Sequence, residues 1–297
     1  MRVGVVDLGT NSTRLLIADV AAGTVGEVAR SVEITRLGES VDDGRKLVPA
    51  AMTRVRRCLD AYRETLDTFA VERTLAIGTS ALRDAENGDQ FLAEIEQEYG
   101  FTMRLVNGEE EADLTYRGVL SDRRLSDDTL VVDIGGGSTE LTLGGNAGPV
   151  FSRSLQLGCV RLTERFLASD PPTTGELERS AAYVRDELPA LEPIDAVGVS
   201  GTITTVAALD LELAAYDPAR VHGHRVALTA VAHQLDRLAV LTTVERTRIP
   251  TMEPGRAPVI VAGALILREV MTAYRLEVIE ASERDLLHGA ALAAAAG

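Results

Sequence analysis

Two short stretches hold most of the chemistry available to this chain. Residues 131–141 read VVDIGGGSTEL, and residues 5–15 read VVDLGTNSTRL. Each runs Val-Val-Asp, an aliphatic residue, Gly, two variable residues and then Ser-Thr. In the first, Gly135, Gly136 and Gly137 follow an apolar run that ends in Asp133. Consecutive glycines let successive backbone N–H groups turn toward one point, a concavity that binds anions and above all phosphate. Ser138 and Thr139 add hydroxyl donors. A carboxylate at Asp133 would repel such an anion unless a cation stood between them. This points to Mg²⁺, a hard ion commonly held by one or two carboxylates together with phosphate oxygens. Glu140 supplies the second carboxylate. The other stretch trades glycines for side-chain donors, Thr10, Asn11, Ser12 and Thr13, with Arg14 directly after. Either stretch alone also fits a tight hairpin. As partners they make a two-sided phosphate clamp and imply a duplicated half-molecule.

A third anion site is expected at Ser200-Gly201-Thr202, where the strand-like AVGVS gives way to a helical pattern. Helix N-termini offer unpaired N–H groups, although Ser-Gly-Thr is also ordinary capping chemistry. Glu109, Glu110 and Glu111 open another helix, where acidic residues are common for structural reasons alone. No GxxxxGK[ST] phosphate loop and no GxGxxG after the first strand occur, so neither a P-loop nor a dinucleotide fold is expected. Cys58 and Cys159 are too few for a disulfide scaffold, and neither has an evident histidine partner for nucleophilic chemistry. His222 and His224 are spaced for a metal but lack a third ligand, so a loop or substrate-contact role is expected.

The net charge of −15 disfavours nonspecific binding to nucleic acid or anionic membranes. Lys46 is the single lysine, and every other cationic side chain apart from histidine is arginine. Arginine suits phosphate, but GC-rich coding accounts for most of this excess, so only arginines inside motifs carry weight. No window of ~18 residues is apolar and charge-free, and MRVGVVDLG runs straight into a strand pattern. The expected location is the cytoplasm.

Strands and helices must alternate to position these stretches. Strands are expected at Val3 to Asp7, Arg14 to Val20, TLAIG, TMRLV, TLVVDI, TELTL, AVGVS and LEVIEA. Met52, Val55, Leu59, Tyr62, Leu66 and Phe69 mark one face of a helix. Further helices are expected after Asp89 up to Gly100, from about Glu109, at 174–191, 203–213, 229–241 and 258–272, and in the tail. The polar run Ser121 to Asp128 is the expected boundary, giving domains 1–124 and 125–297, both α/β.

In order along the chain, VVDLGTNSTRLLI, GTSALRDAENG, NGEEEADLTYRGV, VVDIGGGSTEL, LGCVRL and VSGTITTVAAL together resemble the exopolyphosphatase / guanosine pentaphosphate phosphohydrolase family. That resemblance covers essentially the whole chain. It implies two actin-like, ribonuclease H-like domains of the actin, sugar kinase and heat-shock ATPase superfamily, with the active site in the cleft between them. The chain resembles the short form, without the additional C-terminal domain of longer members. Carried over by motif, Glu111 is the general base on the attacking water and Arg83 stabilises charge on phosphoryl oxygens. Asp133 and Glu140 match positions associated with Mg²⁺. Gly135, Gly136, Gly137 and Ser138 match one phosphate loop, and Asn11, Ser12 and Thr13 the other. Arg14, Arg153, Arg161 and Arg225 are weaker candidates for distal phosphates. Asn107 stands where serine is common, and the family's usual lysine contacts are missing.

The expected reaction is Mg²⁺-dependent release of orthophosphate from the end of inorganic polyphosphate. Hydrolysis of pppGpp to ppGpp uses the same chemistry and is the alternative. An ATP-dependent small-molecule kinase and a non-catalytic polyphosphate or nucleotide sensor are more distant ones. The resemblance also implies a homodimer.

Overall fold

The computed structural model describes residues 1–296, and the chain divides into two units, Met1–Arg123 with Arg284–Gly297, and Arg124–Glu283. In the first, β1 (Arg2–Leu8), β2 (Thr13–Ala21) and β3 (Thr24–Glu33) form an antiparallel meander. The chain passes through α1 (Val41–Gly44) and α2 (Pro49–Thr68), and β4 (Arg73–Gly78) then joins β1 in parallel. After α3 (Ser80–Asp84) and α4 (Gly88–Tyr99), β5 (Thr102–Leu105) extends the parallel side, and α5 (Gly108–Leu120) follows. The sheet order is β3-β2-β1-β4-β5. Central β1 is buried from Val3 onward because both faces are covered. Alternation sends Val6 and Leu8 toward Leu59, Tyr62 and Phe91, and sends Val3 and Val5 to the opposite face. The helix expected after Asp89 begins one residue earlier, at Gly88, preceded by Asn87. It stops at Gly100 in the left-handed region (φ 67), as expected.

The second unit contains β6 (Thr129–Ile134), β7 (Thr139–Gly145), β8 (Gly148–Leu155), α6 (Cys159–Phe166), α7 (Thr174–Glu187), β9 (Asp195–Val199), α8 (Ser200–Asp210) and α9 (Pro218–Val221). Then come β10 (Arg225–Ala227), α10 (Leu228–Ala239), α11 (Thr243–Arg246), α12 (Ile260–Ala273) and β11 (Val278–Ala281). Its sheet order is β10-β11-β9-β6-β7-β8. Read from β8, the first five strands repeat the order and directions of the first sheet, and β10 is added antiparallel at the far edge. This is the ribonuclease H-like, actin-type arrangement, so the duplication seen in two turns extends to two whole sheets.

The last helix, α13 (Leu286–Ala296), departs from the expected 125–297 domain and belongs to the first unit. Its sequence, LLHGAALAAAA, is apolar nearly all round and suits a covered position. Leu286, Leu287, Ala290 and Ala291 pack with Val3, Val5 and Ile77, joined by Leu114 of α5, on the face of the first sheet opposite α2 and α4. Small residues let α13 approach α5 closely. A Cβ on Gly289 would lie 1.8 Å from the carbonyl oxygen of Leu114, and one on Gly118 would lie 1.9 Å from that of Asp285. No helix among the described residues is long and apolar enough to cross a membrane. Gly289→Ala is expected to destabilise the protein by about 1–3 kcal/mol through overpacking, read as a lower urea midpoint at unchanged slope.

Candidate active site

Both repeated turns close with the same bond. Gly9 N–H donates to the Ser12 carbonyl at 3.0 Å, and Gly135 N–H donates to the Ser138 carbonyl at 3.0 Å. A Cβ at Gly9 would stand 2.8 Å from the Ser12 oxygen, which calls for glycine there, and one at Gly135 would make a tight 3.2 Å contact with the Ser138 oxygen. The carbonyls inside each turn are then held from outside. In the first turn, Gly38 N–H donates to Thr10 at 2.8 Å and Arg36 N–H to Asn11 at 2.9 Å. In the second, the start of α6 takes this part: Cys159 N–H meets the Gly135 carbonyl at 3.0 Å and Val160 N–H meets that of Gly136 at 2.9 Å. Arg161 adds its Nε to the Gly137 carbonyl at 2.9 Å. In a planar trans peptide the next N–H points opposite to the carbonyl. Fixing the carbonyls of Gly135, Gly136 and Gly137 therefore aims the N–H groups of Gly136, Gly137 and Ser138 the other way. The first turn does the same for Asn11 and Ser12.

The glutamates of α5 are separated by their surroundings. Asn107 caps the helix, accepting from the N–H groups of Glu109 and Glu110, and the Glu110 carboxylate accepts from Asn107 N–H in return. Asparagine thus does here what serine does at an N-cap. Glu110 also pairs with Arg104 at 2.7 Å, and Glu109 is exposed. Glu111 alone is buried, and its Oε2 meets Arg83 Nη1 at 2.6 Å. Arg83 also donates to the Val106 carbonyl at 2.9 Å, while its Nη2 is buried without a hydrogen-bond partner. An unsatisfied guanidinium nitrogen beside a buried carboxylate is a costly arrangement, and one that suits an anionic ligand.

The strand ends flanking the turns differ between the units. Asp133 on β6 stands directly opposite Glu140 on β7, both buried. Ser200 donates its hydroxyl to Asp133, and Ser154 donates to Glu140 at 2.7 Å. Ser200 holds a left-handed backbone (φ 70) at the start of α8, a strained state for a non-glycine residue. At the matching register of the first unit, Asp7 faces Arg14, Oδ2 to Nε at 2.7 Å. Arg14 also reaches Asp285 at 2.5 Å, so its guanidinium lies among buried carboxylates rather than open to a phosphate as expected. Sequence reasoning passed over Asp7, although it occupies the place in the first stretch that Asp133 holds in the second. Its Oδ1 is buried without a hydrogen-bond partner, and burial, incompletely offset by Arg14, raises its carboxyl pKa. Asn11 Oδ1 is likewise buried and unpartnered.

Three expected hydroxyl donors turn inward. Thr13 pairs with Thr35 (Oγ1 to Oγ1, 2.8 Å), Thr139 donates to the Leu157 carbonyl, and Thr202 is buried beside the Cys159 thiol. Gly201 lies under the Arg256 guanidinium, where a Cβ would come within 1.8 Å of Nη1.

A family model described as the Ppx/GppA phosphatase family matches residues 16–295. The chain belongs to the Ppx/GppA phosphatase family. It is 39% identical over 315 aligned residues to a Mycobacterium tuberculosis protein named Exopolyphosphatase 2, covering 99% of this chain and 98% of that one. A crystal structure of a Ppx/GppA family member from Aquifex aeolicus superimposes with a TM-score of 0.83 at 32% identity, over 99% of this chain and 97% of that one. An exopolyphosphatase structure from Cytophaga hutchinsonii gives a TM-score of 0.90 at 27% identity, over 97% and 96%.

In this Ppx/GppA phosphatase the remaining arginine candidates divide. Arg161 alone of these is brought to one of the repeated turns. Arg153 is exposed on β8 and Arg225 is exposed on β10, at opposite edges of one sheet. Burial pushes the Cys58 thiol up to about 11 and raises that of Cys159 as well, so neither is an activated nucleophile. His222 accepts from Glu283 N–H and His224 meets Asp210 at 2.7 Å. Gly158 is the residue on which the second turn depends, because a Cβ there would lie 2.2 Å from the Gly136 carbonyl oxygen. Gly158→Ala is expected to displace the turn and weaken pyrophosphate binding at least about tenfold, read by calorimetric titration against the parent protein.

Proposed function

We propose that this phosphatase is an exopolyphosphatase, releasing orthophosphate stepwise from the ends of inorganic polyphosphate. What carries the reading is the buried Glu111–Arg83 pair, in a chain so similar over its length to a protein named Exopolyphosphatase 2. Glu111 orients a water and takes its proton as the water oxygen bonds to the terminal phosphorus. The bridging P–O bond breaks, and the charge stays on the shortened chain. This is positioning and charge neutralisation without a covalent intermediate. Arg83 Nη2 is the donor available to a phosphoryl oxygen. An arriving phosphate also competes for Arg83 Nη1 and loosens its hold on Glu111. The N–H groups of Gly136, Gly137 and Ser138 bind phosphate oxygens as the turn geometry aims them.

Mg²⁺ belongs to the same proposal. Two carboxylates face each other where the first unit has a carboxylate facing an arginine, and such an oxygen pair suits a hard divalent cation. Among the described residues no cluster of three or more His, Cys, Asp or Glu is formed to hold a metal, which fits an ion held by Asp133 and Glu140 with phosphate and water. When bound, it neutralises charge on the phosphate chain. A cytoplasmic homodimer is part of the proposal.

The test is phosphate release from short and long polyphosphate, pppGpp and ATP, with Mg²⁺ and after chelation. Polyphosphate turnover is expected to require Mg²⁺, and Glu111→Gln is expected to lower kcat by about 10²–10⁴-fold while retaining substrate binding. Near-normal turnover in that variant would remove Glu111 from the mechanism. Turnover of pppGpp alone would keep the chemistry and change the substrate.

A further inference from the structure

Arg14 is gripped from two sides, by Asp7 across the strand pair and by Asp285 from the turn that leads into α13. Asp285 is almost wholly buried and also meets Arg30 Nη2 at 3.4 Å and the His288 ring at 3.4 Å. Its Oδ1 also accepts from Leu287 N–H at 3.0 Å, which fixes the carboxylate to the start of the helix. His288 in turn lies 3.6 Å from Glu27 on β3. Burial by itself would raise the Asp285 carboxyl pKa, but Arg14, His288 and Arg30 together hold it far below the usual range. At Asp7 burial prevails over the same arginine. Of the two carboxylates, Asp285 also lies closer to Arg14, at 2.5 Å against 2.7 Å for Asp7.

The same residue bears on the other half of the unit's chemistry. The Asp285 carbonyl sits against Gly118 of α5, and Gly289 sits against the Leu114 carbonyl, one turn beyond Glu111. One short segment thus touches the strand end that flanks the first phosphate turn and the helix that presents the buried glutamate.

We infer that Asp285 is a positioning residue, fixing Arg14 against Asp7 beside the first phosphate turn and seating the helix that carries Glu111. Its kinetic readout rests on the exopolyphosphatase reading, while its structural readout does not. The competing view is a buried ion pair that only stabilises the fold. The two separate in a double-mutant cycle with Arg14, because a residue acting through Arg14 loses its effect once Arg14 is gone.

The first variant is Asp285→Asn, which keeps the side-chain shape and an acceptor for Leu287 N–H but removes the charge. In the full-length protein kcat is expected to fall at least about tenfold with KM changed less than about threefold, and adding Asp285→Asn to Arg14→Gln should cost less than about twofold more. In a crystal structure of Asp285→Asn, the Arg14 guanidinium should have shifted from the place between Asp7 and Asp285 that it holds in the wild type. Unchanged kcat in the folded variant, a full multiplicative loss on the Arg14→Gln background, or an Arg14 guanidinium unmoved from its wild-type place would each overturn the inference. If the asparagine variant does not fold, Asp285→Glu enters the same cycle, keeping the charge but displacing it by one methylene. A wild-type protein inactive on polyphosphate would sink the exopolyphosphatase reading, and the crystal structure of the variant would still decide the role of Asp285.

Discussion

Peptide planarity governs the two repeated turns. A carbonyl that is tied down fixes the direction of the N–H that follows it, so anchoring a turn from behind aims its donors forward. The start of α6 does this for Gly135 to Gly137, and the segment around Arg36 and Gly38 does it for Thr10 and Asn11. The donors are held in place by the fold itself, so the phosphate binding proposed for the turns would require little ordering. Close backbone approach is the condition for this, which is why Gly158 and Gly38 leave no room for a side chain beside their turns.

Capping sorts three adjacent acids on α5 into three roles. Glu110 closes the box with Asn107, Glu109 faces solvent, and the next step around the helix carries Glu111 inward to Arg83. A helical step of about 100° per residue is enough to give neighbours of one chemistry unlike environments. Acids at a helix start are common, but a buried acid in contact with an arginine that retains an unsatisfied nitrogen is not.

Much of the fold was legible because its central strands are buried on both faces. GVV and LVV read as continuous apolar runs, and the repeat of VVD–G–ST exposed the duplication before any sheet order was known. Edge strands were not legible. β3 and β8 carry mixed polar residues on partly exposed faces, so alternation is weak and both were missed. The short α3, which bears Arg83, is only five residues long and leaves no periodicity to detect. At the site, residue types gave the turns and the acids, but not the direction of any hydroxyl. Thr13, Thr139 and Thr202 look like donors in the sequence and are turned into the core by partners far along the chain. The carboxylate that meets Arg14 was hidden for the same reason, since Asp285 lies 271 residues away.

The return of α13 to the first unit also sets an order of assembly. On a ribosome the chain emerges N-terminus first, and domains tend to fold as they appear. The second unit has all its strands once Glu283 is out, so its folding is limited by nothing later in the chain. The first unit begins earlier but closes last. The apolar face formed by Val3, Val5 and Ile77, met by Leu114 of α5, lacks the rest of its cover until Leu286 to Ala294 arrive. During synthesis that face is a surface for chaperones to cover and for aggregation to exploit, and the helix that completes its cover is made only after the whole second unit.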